Sequence, residues 1–334
     1  MKNVIVYKQF LSRGLALLLL VSVCCNSNPK GCWQQLISDS SPDGLAVLSL
    51  TFTNSSHGWA LTPFEFLESN DGGKTWQEKL SSDDQEKVFH SFTFINEKIG
   101  WIVGVQKKDN KYMAMILRTL DSGRSWQEQP VNVTAQAEIH RAPSLRSVSF
   151  CNEKVGWAVG SDLILHTTDG GLTWADQRSG NERENFYGVS CLNSERAITV
   201  GQDGVVLATE DGGKNWSQQV SGTKSTLLRV RSFGESVWAV GTNSTLLRAR
   251  AGSEKWDSQQ LSVAKGAGLA DIVFVNSEGW IIGTEGALLH TKDGGQTWLR
   301  QKSPTETNLI CVFFLDKKQG WVGGDKHTIL RFSH

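Results

Sequence analysis

Aspartates in glycine-rich turns are the residues whose type and spacing most readily suggest chemistry in this chain. Five segments read Ser/Thr-x-Asp-x-Gly-x-x-Trp, and we call them boxes; their aspartates are Asp71, Asp121, Asp169, Asp211 and Asp293. Calcium binding is one interpretation, but a calcium loop gathers several oxygen ligands and each box offers a single carboxylate. We therefore expect a structural role, in which the carboxylate accepts backbone hydrogen bonds from its own turn and the glycines take left-handed conformations. No metal or other cofactor is predicted.

Catalysis would need a nucleophile or an acid and base pair that the chain does not obviously supply. A sialidase-like glycoside hydrolase requires three arginines around a carboxylate, a tyrosine with a glutamate partner and an acidic proton donor. Beyond the N-terminal segment only Tyr112 and Tyr187 are present, and Tyr187 falls at the start of a predicted strand. The histidines recur at predicted strand ends without a serine or cysteine partner. We predict that the protein is not an enzyme; a sialidase-like hydrolase and a carbohydrate-binding protein remain the alternatives.

The cysteines do not form a recognisable ligand set. Cys32, Cys151, Cys191 and Cys311 lie far apart, with no CxxC pair and no histidine at zinc-ligand spacing. The last three each fall near the first strand of a predicted repeat. We expect buried free thiols there rather than disulfides.

Two interleaved patterns organise the elements that would position these residues. Besides the five boxes, a sixth copy, residues 249–256, keeps its tryptophan but has Ala251 in place of the aspartate. A second pattern, usually Gly-Trp followed by two apolar residues and glycine, recurs in seven units, one of which has Ile198 in place of the tryptophan. Short segments of alternating polarity flank each unit, which is typical of strands. The spacing of about 40 to 50 residues predicts an all-β, seven-bladed β-propeller of four-stranded blades.

The outer strand missing from the last blade is predicted to come from the N-terminus. Cys32-Trp33-Gln34 resembles the end of a box, whereas residues 329–332 match a third strand. With Trp33 included, all 13 tryptophans fall in the two patterns. An N-terminal strand that completes the last blade would close the ring and remove two open sheet edges. The predicted propeller domain spans residues 31–334.

The first 25 residues have the composition of an export signal. Lys2, Lys8 and Arg13 precede the apolar stretch 14–23, which is too short to span a bilayer. Cys24 and Cys25 follow directly, as in the lipid-attachment box of bacterial lipoproteins, although the preceding residue is not the usual small one. A lipidated cysteine and a simply cleaved signal explain these residues equally well.

The repeats resemble a known family of propellers. Asp boxes occur in sialidases, in sortilin-type receptors and in photosystem II assembly/stability factors. The unit Leu145 to Gly160, followed by the box that ends at Trp174, is most similar to the photosystem II assembly factors. The likeness runs from Trp33 to Phe332 and implies seven blades with a closing N-terminal strand. It also implies an exported, non-catalytic assembly factor that binds a partner protein through an arginine-rich surface.

The face opposite the boxes is the expected binding face. In a four-stranded blade the boxes lie on one side, while the turns between strands two and three and the inter-blade loops lie on the other. Arg146 and Arg229 occupy what we interpret as matching places at the start of first strands, near the channel mouth. The candidate partner-binding residues are Arg141, Arg146, Arg183, Arg229, Arg231 and Lys326. Solvated arginines that pack over apolar surface are the alternative interpretation.

Charge and composition limit the kinds of partner and the cellular locations that we expect for this protein. The 34 basic residues equal the 34 acidic residues, so no overall field favours nucleic acid. We expect a monomer that binds a membrane or envelope protein complex, with a lipid anchor on Cys24 or Cys25 as one arrangement. The expected location is the cell envelope, as a periplasmic protein or a membrane-anchored lipoprotein, or the extracellular space. The resemblance implies the thylakoid lumen if the source is photosynthetic.

Overall fold

Seven antiparallel sheets of four strands each make up the part of the chain that the structure describes. The computed structural model describes residues 31–37, 44–82, 85–131, 143–177, 184–259, 261, 263 and 266–333. The strands form seven blades in a ring, as the repeats predict. Two short 3₁₀ turns, Gln202–Gly204 and Thr284–Gly286, lie in this part of the chain. No helix in the described ranges has the length and apolar composition that a membrane span requires.

The blades are numbered along the chain, and their strands have the following bounds. Blade 1 contains β2 (Ser49–Phe52), β3 (Gly58–Leu61), β4 (Glu65–Ser69) and β5 (Gln77–Ser81). Blade 2 contains β6 (Lys87–Phe94), β7 (Gly100–Lys108), β8 (Lys111–Thr119) and β9 (Gln127–Glu128), and blade 3 contains β10 (Leu145–Phe150), β11 (Gly156–Gly160), β12 (Leu163–Thr167) and β13 (Ala175–Asp176). Blade 4 contains β14 (Phe186–Cys191), β15 (Ala197–Gly201), β16 (Val206–Thr209) and β17 (Ser217–Gln218), and blade 5 contains β18 (Leu227–Phe233), β19 (Ser236–Gly241), β20 (Leu246–Arg250) and β21 (Asp257–Gln259). Blade 6 contains β22 (Leu269–Val275), β23 (Glu278–Gly283), β24 (Leu288–Thr291) and β25 (Leu299–Arg300), and blade 7 contains β26 (Leu309–Asp316), β27 (Gln319–Gly324), β28 (Ile329–Ser333) and β1 (Cys32–Ile37).

The N-terminal strand completes blade 7, as the position of Trp33 predicts. Strand β1 pairs antiparallel with β28, and Trp33 stands opposite Phe332 in the register. The buried indole of Trp33 also packs against Phe314, with ring centroids 5.7 Å apart. The ring is therefore closed by main-chain hydrogen bonds between the two ends of the described chain and by an aromatic cluster beside them.

Adjacent blades are joined by aromatic stacks that recur around the ring. At five junctions a tryptophan on the second strand of one blade lies parallel to a phenylalanine on the first strand of the next, with centroids 3.5 to 5.2 Å apart. The pairs are Trp59 with Phe94, Trp101 with Phe150, Trp238 with Phe274, Trp280 with Phe314, and Trp321 with Phe52. Each pair contributes about 0.5–1.5 kcal/mol beyond the burial of its area.

The same phenylalanines explain why glycine precedes tryptophan in the repeat. Phe150 pairs with Gly156 within blade 3, and a Cβ on this glycine would lie 2.6 Å from the phenylalanine ring. Gly100 faces the ring of Phe94 in the same way, at 2.8 Å. A side chain at the glycine would push the phenylalanine off its stacking partner in the preceding blade. The glycine is thus a packing requirement of the junction.

Two blades lack the phenylalanine, and both also lack the glycine. In blade 4 the pair is Cys191 opposite Ala197, and in blade 5 it is Ser232 opposite Val237. Without a ring above it, the second strand tolerates a side chain at this position. The two exceptions in the sequence pattern therefore have one physical cause.

A disulfide takes the place of the missing stack between blades 3 and 4. Cys151 and Cys191 are bonded, with Cα atoms 5.4 Å apart, so the prediction of free thiols is wrong for these two residues. Cys191 occupies the phenylalanine position and faces blade 3, where Cys151 follows the first strand. Cys32 also takes part in a disulfide. Cys311 is free and buried as predicted, and burial raises its pKa to about 12.

Removal of residues 31–36 is expected to open the ring, because it exposes the outer edge of β28 and removes Trp33 from its aromatic cluster. Thermal unfolding of the truncated protein should start at a lower temperature, lose cooperativity and be accompanied by aggregation. Light scattering during a calorimetric scan measures both effects. An unchanged unfolding transition would contradict the assignment of β1 as the closing strand.

Candidate partner-binding site

The ring has two faces with different constructions. Boxes connect the third and fourth strands, and they lie beside the turns between the first and second strands; the amide of Gly170, for example, donates to the carbonyl of Lys154 at 2.8 Å. We call this side the lower face. The upper face carries the turns between the second and third strands and the entrances to the first strands. Of the expected partner residues with described positions, Arg146 and Lys326 lie on the upper face, whereas Arg229 and Arg231 line the channel.

The boxes on the lower face are closed hydrogen-bond networks. In the box of blade 3, the Thr167 hydroxyl donates to Asp169 Oδ1 at 2.9 Å and accepts from the Gly171 amide at 2.8 Å. The amide and the hydroxyl of Thr173 donate to the two oxygens of Asp169 at 3.0 and 2.6 Å. The same four contacts recur around Asp71, Asp121, Asp211 and Asp293, with Asn215 in place of the last hydroxyl in blade 4. The carboxylates are thus committed to their own turns.

These hydrogen bonds hold the pKa of the box carboxyls low. At Asp169 burial raises the pKa, but the Thr173 hydroxyl and amide outweigh it, and the pKa falls to about 2. At Asp211 the backbone amide and the side chain of Asn215 lower the pKa to about 2. The pKa of Asp293 is also lowered, chiefly by the hydroxyls of Thr291 and Thr297.

The central channel contains a buried ion pair that sequence reasoning missed. The channel has a volume of about 270 Å³ and is lined largely by serines and threonines on one side. Asp271, which is fully buried in its wall, accepts from Arg231 Nε at 3.0 Å and from Arg231 Nη2 at 2.8 Å. Its carboxylate also accepts from the amides of Ile272 and Val312, and Arg229 Nε lies 3.6 Å away. The sequence contained one signal that could have revealed this ion pair: Asp271 stands within the alternating, mostly apolar segment of β22.

Burial and charge act in opposite directions on the pKa values of Asp271 and Arg231. Burial alone would raise the pKa of Asp271, but Arg231 and Arg229 lower it below its usual range. Burial would lower the pKa of Arg231, and the Asp271 carboxylate raises it. Asp271 and Arg231 therefore stay ionised as a pair, and the guanidinium group of Arg229 lies beside them.

Arg146 and Arg229 do not occupy matching positions, contrary to the sequence interpretation. Leu145 and Leu227 both pair with the last glycine of the second strand, so they are the equivalent residues. A β-bulge then adds one residue to each first strand. Arg146 is the bulged residue, whereas Arg229 stands one position further along, where side chains face the channel. The two sequences look alike, but their equivalent residues are shifted by one position. In a strand, a shift of one residue moves a side chain to the opposite face of the sheet.

Arg146 lies on the upper face beside the channel mouth. Its guanidinium lies 5.1 Å from the ring centroid of Tyr187, which is the equivalent bulged residue of blade 4. The next residue, Gly188, packs against the backbone of Arg229, because an ideal Cβ there would lie 3.0 Å from the Arg229 Cα. Arg146, Tyr187 and Arg229 therefore follow one another across blades 3, 4 and 5. We call these three residues the mouth arc.

The other candidate residues are placed differently. Lys326 lies in the turn between β27 and β28 with a φ of 54°, and this turn belongs to blade 7, outside the sector of the mouth arc. Arg141 and Arg183 lie outside the described residues, as do the lipidation candidates Cys24 and Cys25. His90, which was not singled out as a binding residue, is the bulged residue of blade 2 and contacts the Leu145 carbonyl through Nδ1 at 2.7 Å. Burial lowers the pKa of His90.

The box carboxylates predict a specific loss of stability in acid. The pKa of Asp169 is about 2 in the folded protein against an ordinary value of 3.8, so its contribution to stability is fully present above pH 4 and is lost as the pH falls toward 2. We expect Asp169→Asn to destabilise the protein by about 1 kcal/mol at pH 7, after allowance for partial exposure. The difference in the free energy of unfolding between wild type and variant should shrink toward zero at pH 2. Denaturant titrations at several pH values measure it, and a difference that does not vary with pH would contradict the account.

Comparison with known proteins links this geometry to one family. The family model described as photosynthesis system II assembly factor YCF48 matches residues 27–134, 131–226 and 222–305. The rice (Oryza sativa subsp. japonica) chloroplastic photosystem II stability/assembly factor HCF136 is 31% identical over 107 residues, which cover 30% of this chain and 24% of the rice protein. The matched part is thus about a quarter of that relative's length.

Solved structures of YCF48 share the fold. A structure described as YCF48 bound to D1 peptide has a TM-score of 0.69 at 23% identity, and the match covers 90% of this chain and 97% of that one. YCF48 from Cyanidioschyzon merolae has a TM-score of 0.68 at 20% identity, with coverage of 90% and 98%. At these identities the structural likeness establishes the architecture. Together with the family-model matches over most of the length, it shows that the chain belongs to the YCF48 family of photosystem II assembly factors built from Asp-box, or BNR, repeats.

Proposed function

We propose that the protein is a non-catalytic, exported propeller that binds a partner protein and serves as an assembly or scaffold factor for a membrane or envelope complex. The mouth arc is the observation that carries this proposal. Arg146 over Tyr187 and Arg229 beside the channel offer cationic groups on a rigid rim, although the chain as a whole is neutral. Arginine suits such a surface, because its planar fork binds carboxylates and is weakly hydrated.

Further features of the arc favour binding over simple solvation. The Nε atom of Arg146 is buried and has no hydrogen-bond partner within the described residues, whereas Arg229 Nε faces the Asp271 carboxylate at 3.6 Å. A buried donor without a partner is costly, and an incoming acceptor would relieve that cost. One YCF48 structure is described as bound to a D1 peptide, so a protein with this fold binds a peptide. That observation supports the proposal that this chain binds a partner protein.

The channel chemistry supports a binding role rather than hydrolysis. A glycoside hydrolase of the common type places two carboxyl groups on either side of the bond it cleaves. Among the described residues that line the channel, Asp271 is the one carboxylate, and it is held by Arg231 and backbone amides. The ring of Tyr187 lies against Arg146. These commitments favour binding over a sialidase-like reaction and over a carbohydrate site at the mouth.

Export completes the proposal. Residues 1–25 would direct the chain out of the cytoplasm, and either a cleaved signal or a lipid on Cys24 or Cys25 would follow. Both arrangements place the propeller outside the cytoplasm, and a lipid would in addition hold it at the membrane. The partner is then a protein of a membrane or envelope complex, and the thylakoid lumen is the compartment if the source is photosynthetic.

The double variant Arg146→Gln/Arg229→Gln tests the mouth arc. Arg231 remains on Asp271 in this variant, so no buried carboxylate is left unpaired and the melting temperature should stay within about 2 °C of wild type. Capture of the membrane complex from the source membranes, measured by quantitative mass spectrometry, should fall at least about tenfold, as expected for the loss of interface arginines.

Arg124→Gln/Lys214→Gln is the matched control, because it removes the same number of positive charges from exposed box residues on the lower face. The control should capture as much of the complex as wild type. Equal capture by the mouth-arc variant and wild type would reject the arc as the binding site. Equal losses in both variants would indicate a non-specific charge effect and would reject it too.

A further inference from the structure

Blade 2 carries a hairpin that is longer than its neighbours. Strands β7 and β8 each have nine residues, whereas the second and third strands of the other blades have four to six. The two strands pair without interruption from Gly100 opposite Thr119 to Lys108 opposite Lys111. Asp109 and Asn110 form the turn with φ values of 51° and 59°, as in the tight turns of regular hairpins. The extra length projects from the upper face.

One edge of this hairpin is covered and the other is not. On the inner side β6 pairs with β7 as far as Gln106, and the Lys107 amide donates to the Glu86 carbonyl. On the outer side β9 pairs only with Leu117 and Arg118, followed by one bond from the Gln129 amide to the Ile116 carbonyl. Within the described ranges no strand pairs with the outer edge of β8 from Lys111 to Met115. An edge of this kind accepts a further strand.

The backbone groups available at that edge can be identified. The Ile116 carbonyl points toward β9, because it accepts from Gln129. Backbone groups alternate between the two sides of a strand, so the amides and carbonyls of Ala114 and Tyr112 point the same way. They offer two donors and two acceptors in line with β9. An extended segment of about five residues could pair with them.

The side chains beside this edge indicate the charge of the occupant. Lys108 stands directly opposite Lys111, and Lys107 stands opposite Tyr112. Like charges in directly opposite positions destabilise a sheet, and a carboxylate placed between them would relieve the repulsion. Tyr112 and Met113 are exposed by 55% and 43%, so they supply apolar contact area beside the lysines.

We propose that the outer edge of β8 from Lys111 to Met115 is a docking site for an extended acidic segment of a partner protein, which adds to blade 2 as a further strand. Main-chain hydrogen bonds to Tyr112 and Ala114 supply affinity, and the three lysines select acidic side chains. The site is separate from the mouth arc and does not depend on it. It would give the same propeller a second contact with its partner.

Peptides of defined chemistry test the proposal with the full chain. A fluorescent acetyl-DVEVDV-amide should bind with an affinity at least about tenfold higher than acetyl-KVKVKV-amide, and hydrogen exchange at Tyr112 and Ala114 should slow when it binds. Two N-methylated versions of the acidic peptide separate backbone pairing from charge attraction. Methylation of the alternate amides that face β8 should abolish binding, whereas methylation of the other set should leave it intact.

Charge-reversal variants locate the docking site, and a mouth-arc variant separates a failure of this proposal from a failure of the proposed function. Lys108→Glu/Lys111→Glu should weaken the acidic peptide at least about tenfold, while Lys317→Glu/Lys318→Glu, which changes two exposed lysines of blade 7 on the lower face, should not. Arg146→Gln/Arg229→Gln should bind the peptide as wild type does. Binding that tolerates both methylation patterns, or that survives reversal of Lys108 and Lys111, would overturn the proposal. Protection of the Tyr112 and Ala114 amides in the free protein would also overturn it, because another part of the chain would then occupy the edge.

Discussion

The stacked contact between a tryptophan of one blade and a phenylalanine of the next is the constraint on which the rest of the structure depends. It recurs at five of the seven junctions, and the phenylalanine needs a glycine beneath it in its own blade. One contact thus links the first strand of a blade, its second strand and the preceding blade. Where Cys191 replaces the phenylalanine, a disulfide to Cys151 joins the same two blades. A stack or a disulfide thus joins six of the seven pairs of neighbouring blades, and a cluster of buried apolar residues joins blades 4 and 5.

This arrangement separates stability from recognition. The stacks lie between the blades, and the boxes close the lower face with carboxylates whose hydrogen bonds stay within their own turns. The upper face is therefore free to vary without loss of the ring. It carries the mouth arc and the long hairpin of blade 2, and the channel below it contains the ion pair of Arg231 with Asp271. These features are irregular among blades that are otherwise alike, as expected of surfaces that bind other molecules.

The sequence was most informative where a residue acts locally and repeats. Trp33 revealed the closing strand because a box tryptophan has one role in every blade, and the box aspartates have the predicted hydrogen bonds. Contacts between blades were harder to predict. The disulfide of Cys151 with Cys191 and the contact of Arg231 with Asp271 join residues about 40 positions apart, and no single repeat reveals them. The position of Arg229 was misjudged because blade 5 has two consecutive leucines at this point. The sequence comparison matched Leu145 to Leu228, whereas the strand pairing makes Leu227 the equivalent residue.

A double-mutant cycle across one junction tests the role of the stacks most directly. Trp101→Leu, Phe150→Leu and the double variant would be compared by denaturant unfolding, with Trp101→Leu and Phe314→Leu, which belong to different junctions, as the control cycle. The account predicts a coupling of about 1 kcal/mol for Trp101 with Phe150 and additive effects, within about 0.5 kcal/mol, for the control. Additive effects for Trp101 with Phe150 would contradict the claim that their contact holds blades 2 and 3 together.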